Sequence, residues 1–170
     1  VLDLFCYDGA WGLFAALYGA REVVFVDQSE AALARARINA ERNGFFSRCT
    51  FIEADVFDFL KTTEKKTFDV VISDPPAFVK NKKTLPQAVK GYTDLNRRAL
   101  LSLRDGGILV SCSCSHHVSN ELFEDILRKA SLASGRDLII LEARGQSSDH
   151  PVLLAMPETR YLKCYVTKII

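Results

Sequence analysis

The chain has 170 residues, 48% hydrophobic and 25% charged, which fits one soluble domain with its own core. Lys+Arg number 22 against Asp+Glu 21, and a net charge of +1 neither demands nor excludes nucleic acid, because a basic patch can sit on a neutral domain. No apolar run is long enough to span a bilayer and no signal peptide is visible, while five cysteines without framework spacing point to a reduced, cytoplasmic protein rather than a disulfide scaffold.

Strand-like and helix-like runs alternate. Strands are predicted at 1–5, 22–26, 50–53, 69–73, 106–112, 138–143 and 161–168. Helices are predicted over Ala10–Tyr18, Glu30–Asn43, Val56–Thr62, Pro86–Leu103 and Ser119–Ala133. The second helix is rich in Ala, Arg, Leu and Glu and is closed by Asn43-Gly44. Asp105-Gly106-Gly107 reads as a turn launching Ile108-Leu109-Val110. This alternation predicts an α/β fold, a mostly parallel seven-stranded sheet covered on both faces. The last two strands have no helix between them, so they are expected to pair antiparallel at the edge. Val1-Leu2-Asp3-Leu4-Phe5 opens as a buried strand with nothing before it, so the chain is expected to be the carboxyl-terminal part of something longer.

The link from the first strand to the first helix, Asp3 to Gly12, carries Gly9 and Gly12, which let backbone approach a ligand at a helix amino terminus. The pattern G-x-G-x-x-G is absent, because Phe5 and Tyr7 stand where other such loops carry glycine, and a ligand without phosphates fits better. Asp27 ends the second strand, where an acid commonly accepts from ribose hydroxyls. Asp55 follows the third and is placed to take an adenine amine. Each acid also has a local reading: Asp3 tying the loop backbone, Asp27 and Ser29 capping the second helix, Asp55 capping the third. Taken together, three acids at three neighbouring strand ends suit an adenosine bearing a positive group, such as S-adenosylmethionine.

Asp74-Pro75-Pro76-Ala77-Phe78 follows the apolar run of the fourth strand and forms a stiff acidic lip at the edge where α/β sheets bind ligands. Ser111-Cys112-Ser113-Cys114-Ser115-His116-His117 closes the fifth strand. Cys112 and Cys114 share a face of a regular strand, and a thiol there is either packing or a nucleophile facing Asp74. The spacing with His116 and His117 is not a standard zinc pattern, and no metal is assigned.

These residues together resemble a Rossmann-like class I S-adenosylmethionine-dependent methyltransferase. More narrowly, the combination of Asp74-Pro75-Pro76 with Ser113-Cys114-Ser115 is similar to the bacterial large-subunit rRNA 5-methylcytosine methyltransferases. Gly135-Arg136-Asp137, Asp149-His150-Pro151-Val152, Pro157-Glu158 and Tyr161-Leu162-Lys163 extend the resemblance through the tail. It implies one methyltransferase domain over 1–170, with an RNA-binding region upstream of it. It implies S-adenosyl-L-methionine held by Asp3, Phe5, Tyr7, Gly9, Asp27, Gln28, Asp55, Val56, Asp74 and Pro75. Cys114 matches the nucleophile position, and Asp74 the group that holds the pyrimidine edge. Where some RNA cytosine methyltransferases have a second cysteine after the prolines, this chain has Ala77, so a single-cysteine route is implied and Cys112 is read as packing.

Large-subunit rRNA is the implied partner, with contacts expected from Pro76, Phe78, Lys80, Lys82 and Lys83, and from Lys90, Arg97 and Arg98 on the next helix. Phe78 either stacks on a base or packs beneath the loop. No membrane partner is expected, and a homodimer is left open. Two rival functions stand: a guanine-directed rRNA methyltransferase without a covalent intermediate, and a non-catalytic cofactor-binding scaffold. Ala77, where amine-directed enzymes often carry an aromatic, counts against the first.

Overall fold

A computed structural model describes residues 1–79 and 82–170, with the side chain of Lys82 also outside the description. Among the described residues seven strands and five α-helices follow one another, beginning β1 (Leu2–Leu4), α1 (Ala10–Leu17), β2 (Val23–Asp27), α2 (Glu30–Arg42), β3 (Cys49–Glu53), α3 (Val56–Thr62) and β4 (Phe68–Ser73). The second half runs α4 (Leu85–Ser102), β5 (Leu103–Ser113), α5 (Asn120–Ser134), β6 (Leu138–Arg144) and β7 (Lys163–Ile169). The strands form one sheet in the order β3-β2-β1-β4-β5-β7-β6. The first five are parallel, while β7 runs antiparallel to both β5 and β6. The predicted antiparallel pair is therefore at the edge, with β7 inserted one place in and β6 outermost.

Local sequence accounts for the ends of these elements. Ser29 and Ser119 accept from the backbone N–H of Ala32 and Leu122, capping α2 and α5. Asn43-Gly44 closes α2 as expected, with Gly44 at a φ of 73°. Strand β5 starts earlier than predicted, because Leu103 already pairs with Phe68 and the glycine turn is absorbed as an irregularity before Ile108 pairs with Val70. Strand β1 is shorter than predicted because Phe5 turns to a φ of 58°.

Two cores lie on the two faces of the sheet. The larger gathers Leu95, Leu100, Leu109, Phe123 and Ile126 beneath α4 and α5, and the smaller gathers Ala16, Val23, Phe25 and Leu33 beneath α1 and α2. Each fully buried Leu or Phe contributes roughly 1.5–3 kcal/mol. Chain order reverses between β1 and β4: β2 and β3 are laid on one side of β1, and β4 and β5 on the other. In parallel α/β sheets the crevice at such a reversal, outside the strand carboxyl ends, is where ligands bind. Among the described residues no helix is long and apolar enough to cross a membrane.

Candidate active site

The register sets the level of each functional group. Leu4 pairs with Val26 and with Ser73, and Ser73 pairs with Ser111. Phe5, Asp27, Asp74 and Cys112 therefore stand one residue further along four adjacent strands, and Cys114 stands beyond them on the rim.

The loop after β1 is strained in a patterned way. Phe5, Tyr7 and Gly9 alternate at φ values of 58°, 50° and 85°. Left-handed backbone costs a non-glycine residue roughly 1–2 kcal/mol, and such strain concentrates at ligand sites. The two aromatics thus adopt a left-handed backbone that glycine takes more readily, which the sequence alone did not indicate. Arg35 covers the exposed Tyr7 ring, 4.9 Å from its centroid. Gly12 must be glycine for packing: a Cβ there would lie 2.3 Å from the Phe25 ring and 2.8 Å from Val23. The close seat of α1 on β2 brings the Gly12 N–H to Asp3 Oδ2 at 2.8 Å.

Asp3 is 0% exposed, and its other oxygen, Oδ1, has no hydrogen-bond partner among the described residues. Burial pushes its carboxyl up to about 7, and the Gly12 bond only partly offsets this. An orphaned buried carboxylate oxygen beneath a strained loop is the chemistry that would receive a ligand cation, so the residues present fit an ammonium-bearing nucleoside.

The other two acids are engaged locally. Asp27 accepts from the N–H of Tyr7 through Oδ2 and of Ser29 through Oδ1, both at 2.9 Å. It therefore fixes the strained loop. Asp55 Oδ1 caps α3 through the N–H groups of Phe57 and Asp58 at 2.8 and 3.1 Å. Gln28 is exposed beside Asp27, while Val56 and Pro75 are buried.

Asp74 sits at the carboxyl end of β4, half-buried, and accepts from Trp11 Nε1 at 3.1 Å across the crevice. Burial raises its carboxyl above the usual range, against the opposing Trp11 bond. Trp11 was not anticipated as a site residue. The only signal was an indole on the first turn of α1, directly after the glycine loop. Cys114 is half-buried, with Sγ pointing its weak donor at the Pro75 carbonyl, 3.9 Å away. Burial, then the nearby Asp74 charge, push its thiol up, and Lys163 opposes both. The acidic lip and the thiol are thus brought together.

Cys112 behaves as packing: it is buried and directly opposite Cys164 on β7. The serines of the same stretch lean on α4. Ser111 donates to Asn96 Oδ1 at 2.6 Å, Ser113 donates to the Tyr92 hydroxyl at 3.1 Å, and Tyr92 and Ser115 share a hydrogen bond at 3.0 Å. His116 reaches the Glu158 carbonyl with Nδ1 at 3.1 Å, tying the strand end to the tail. Among the described residues no cluster of three or more His, Cys, Asp or Glu side chains forms a metal site.

On the substrate side, Pro76 and Lys83 are exposed. Phe78 packs inward, with its ring 4.5 Å from Tyr92 and 6.1 Å from Phe57, which favours the packed alternative over base stacking. Lys80 and the Lys82 side chain lie outside the described residues. Lys90 is exposed, while Arg97 and Arg98 both hold Asp94, at 2.8 and 2.7 Å. A groove of about 700 Å³ between α4 and α5, lined by Leu85, Val89, Leu122 and Lys129 among others, contains none of the predicted cofactor residues.

A family model described as a methyltransferase domain matches residues 1–151. The ribosomal RNA large subunit methyltransferase I of Photobacterium profundum is 45% identical over 98% of this chain and 43% of its own length. That of Aeromonas hydrophila is 45% identical over 99% and 43%. The chain thus spans less than half the length of these curated relatives. Among solved structures, SMU.776, described as a candidate methyltransferase complexed with SAH, superposes with a TM-score of 0.84 at 26% identity, over 98% of this chain and 44% of that one. On the strength of that family model and these relatives, the chain belongs to the family of methyltransferase domains.

Proposed function

We propose that this domain, within its longer protein, methylates carbon 5 of a cytosine in large-subunit ribosomal RNA through a covalent adduct with Cys114. The observation that carries the reading is the half-buried Cys114 thiol set against the Asp74-Pro75 lip at adjoining strand ends. The names of the relatives support the rRNA substrate, which suits a cytoplasmic protein.

S-adenosylmethionine, when bound, supplies the methyl group on a sulfonium. Asp3 would receive its ammonium through Oδ1, and the strained Phe5–Gly9 loop, held by Asp27, would form the wall around it. Asp55, Gln28, Val56 and Pro75 would line the nucleoside side.

Cytosine carbon 5 is a weak nucleophile. The Cys114 thiolate adds to carbon 6, and the displaced π electrons make carbon 5 electron-rich while negative charge develops toward ring nitrogen 3. Asp74, whose carboxyl is raised by burial, can present a proton to that nitrogen edge and stabilise the charge. Neutralising Asp74 also removes the charge that opposes thiolate formation at Cys114. Carbon 5 takes the methyl as its bond to the sulfonium breaks, which would leave a neutral thioether. Loss of the carbon 5 proton to water then expels the thiolate and restores the ring double bond, while nitrogen 3 returns its proton to Asp74. Pro76 and the Lys80–Lys83 segment would meet the RNA around the target base, which must leave its stack to reach the lip.

The test is nucleoside analysis. The full-length protein is incubated with rRNA and labelled S-adenosylmethionine, and the RNA is digested. Label in 5-methylcytidine is expected. Label in a methylguanosine would select the guanine-directed reading, and cofactor binding without any transfer the scaffold reading. Cys112→Ala is expected to leave turnover within about twofold, as suits a packed thiol.

A further inference from the structure

Lys163 opens β7 and is only 4% exposed. It is the one buried lysine among the described residues. Its Nζ donates to the Ser115 carbonyl at 2.6 Å and to the Tyr161 carbonyl at 2.7 Å. No carboxylate lies within ion-pair distance of it among the described residues. A buried cation held only by carbonyl dipoles carries a desolvation penalty that a neutral donor at the same place would avoid. Its position says what the charge faces. The β5–β7 register sets Lys163 opposite Ser113, and the carbonyl it grips belongs to Ser115, the residue directly after Cys114, so the ammonium fixes the backbone next to the thiol.

We infer that Lys163 is the positioning residue for Cys114: it pins the turn that carries the thiol and supplies the positive field in which the thiolate forms. The inference rests on the reading of Cys114 as nucleophile. Two charged groups act on the thiol, Asp74 from the end of β4, which opposes ionisation, and Lys163 from β7, which favours it. Burial holds the Lys163 ammonium down to about 8, and among the described residues Cys114 is the titratable group that acts back on it. At neutral pH the lysine is still charged, and its charge opposes the burial and the Asp74 charge that hold the thiol up.

The test uses the full-length protein and reads Cys114 alkylation by iodoacetamide, resolved by peptide mass spectrometry, from pH 6 to 10. In folded Lys163→Gln, which keeps a donor but no charge, the Cys114 midpoint is expected to rise by roughly one pH unit. Alkylation at pH 7.5 should slow only about threefold, because a more basic thiolate is also more nucleophilic. Lys163→Arg should hold the wild-type midpoint and recover methyl-transfer kcat, with KM little changed in either variant. A wild-type midpoint in folded Lys163→Gln overturns the inference. If that variant does not fold, the reciprocal measurement decides: the Lys163 titration, followed by NMR of ¹³C-labelled lysine, should move down in Cys114→Ser, and an unmoved midpoint overturns the inference equally. Full turnover by Cys114→Ser would sink the covalent reading while leaving the alkylation shift intact, so the two failures are distinguishable.

Discussion

Asp3→Asn is expected to remove the pH dependence of cofactor binding. Asp3 is fully buried, and its carboxyl sits near 7 instead of 3.8, about three pH units, or roughly 4 kcal/mol disfavouring its charge in the free protein. A ligand ammonium at the orphaned Oδ1 would reverse that preference, so binding should release a proton near neutrality. From a midpoint of about 7, the ionised fraction falls from about nine-tenths at pH 8 to about one-tenth at pH 6, and affinity for S-adenosylhomocysteine should fall roughly tenfold over that range. The same raised carboxyl gives the free protein stability that is complete below about 4 and lost as pH rises through about 7. Asparagine keeps the shape and the Gly12 bond but carries no charge. Its affinity at pH 8 should be at least roughly tenfold weaker and flat with pH, because a lost charge-assisted contact costs about 1.5–3 kcal/mol. Calorimetry in buffers of different ionisation enthalpy counts the released proton directly. Wild-type affinity that is flat from pH 6 to 8 without proton release would refute the reasoning.

Gly12→Ala should destabilise the fold by about 1–3 kcal/mol in urea denaturation, since its Cβ would enter the Phe25 ring, and a loss under about 0.5 kcal/mol would mean that α1 can lift freely from β2. Trp11→Phe removes the hydrogen bond that favours ionised Asp74, so the limb of the kcat/KM profile assigned to that acid should move up by roughly half to one pH unit. An unmoved limb would detach Asp74 from the titration that governs turnover.

The order of elements was legible because hydrophobic runs, Asn43-Gly44 and the prolines after Asp74 act locally. So were the strand ends that carry the acids. The division of labour among those acids was not legible. Aspartate is equally suited to capping a helix, bracing a loop or meeting a ligand, and only the structure shows which backbone groups Asp27 and Asp55 hold. Trp11 and Asp74 meet across 63 residues of sequence, beyond any local pattern. Lys163 read as an ordinary strand residue, because its burial depends on β7 being inserted between β5 and β6 rather than lying outermost. The aromatics at Phe5 and Tyr7 adopt a backbone that their own propensities disfavour, which only the surrounding hydrogen bonds enforce.

The central claim is the covalent bond between Cys114 and cytosine carbon 6, and trapping tests it most directly. Large-subunit rRNA transcribed with 5-fluorocytidine has fluorine where the carbon 5 proton must leave, so the adduct cannot resolve. Incubated with the full-length protein and S-adenosylmethionine, it should give a protein–RNA species that survives denaturing electrophoresis and maps to Cys114. Methylation of ordinary rRNA with no trapped species, or a trapped species that persists in Cys114→Ala, would contradict the account.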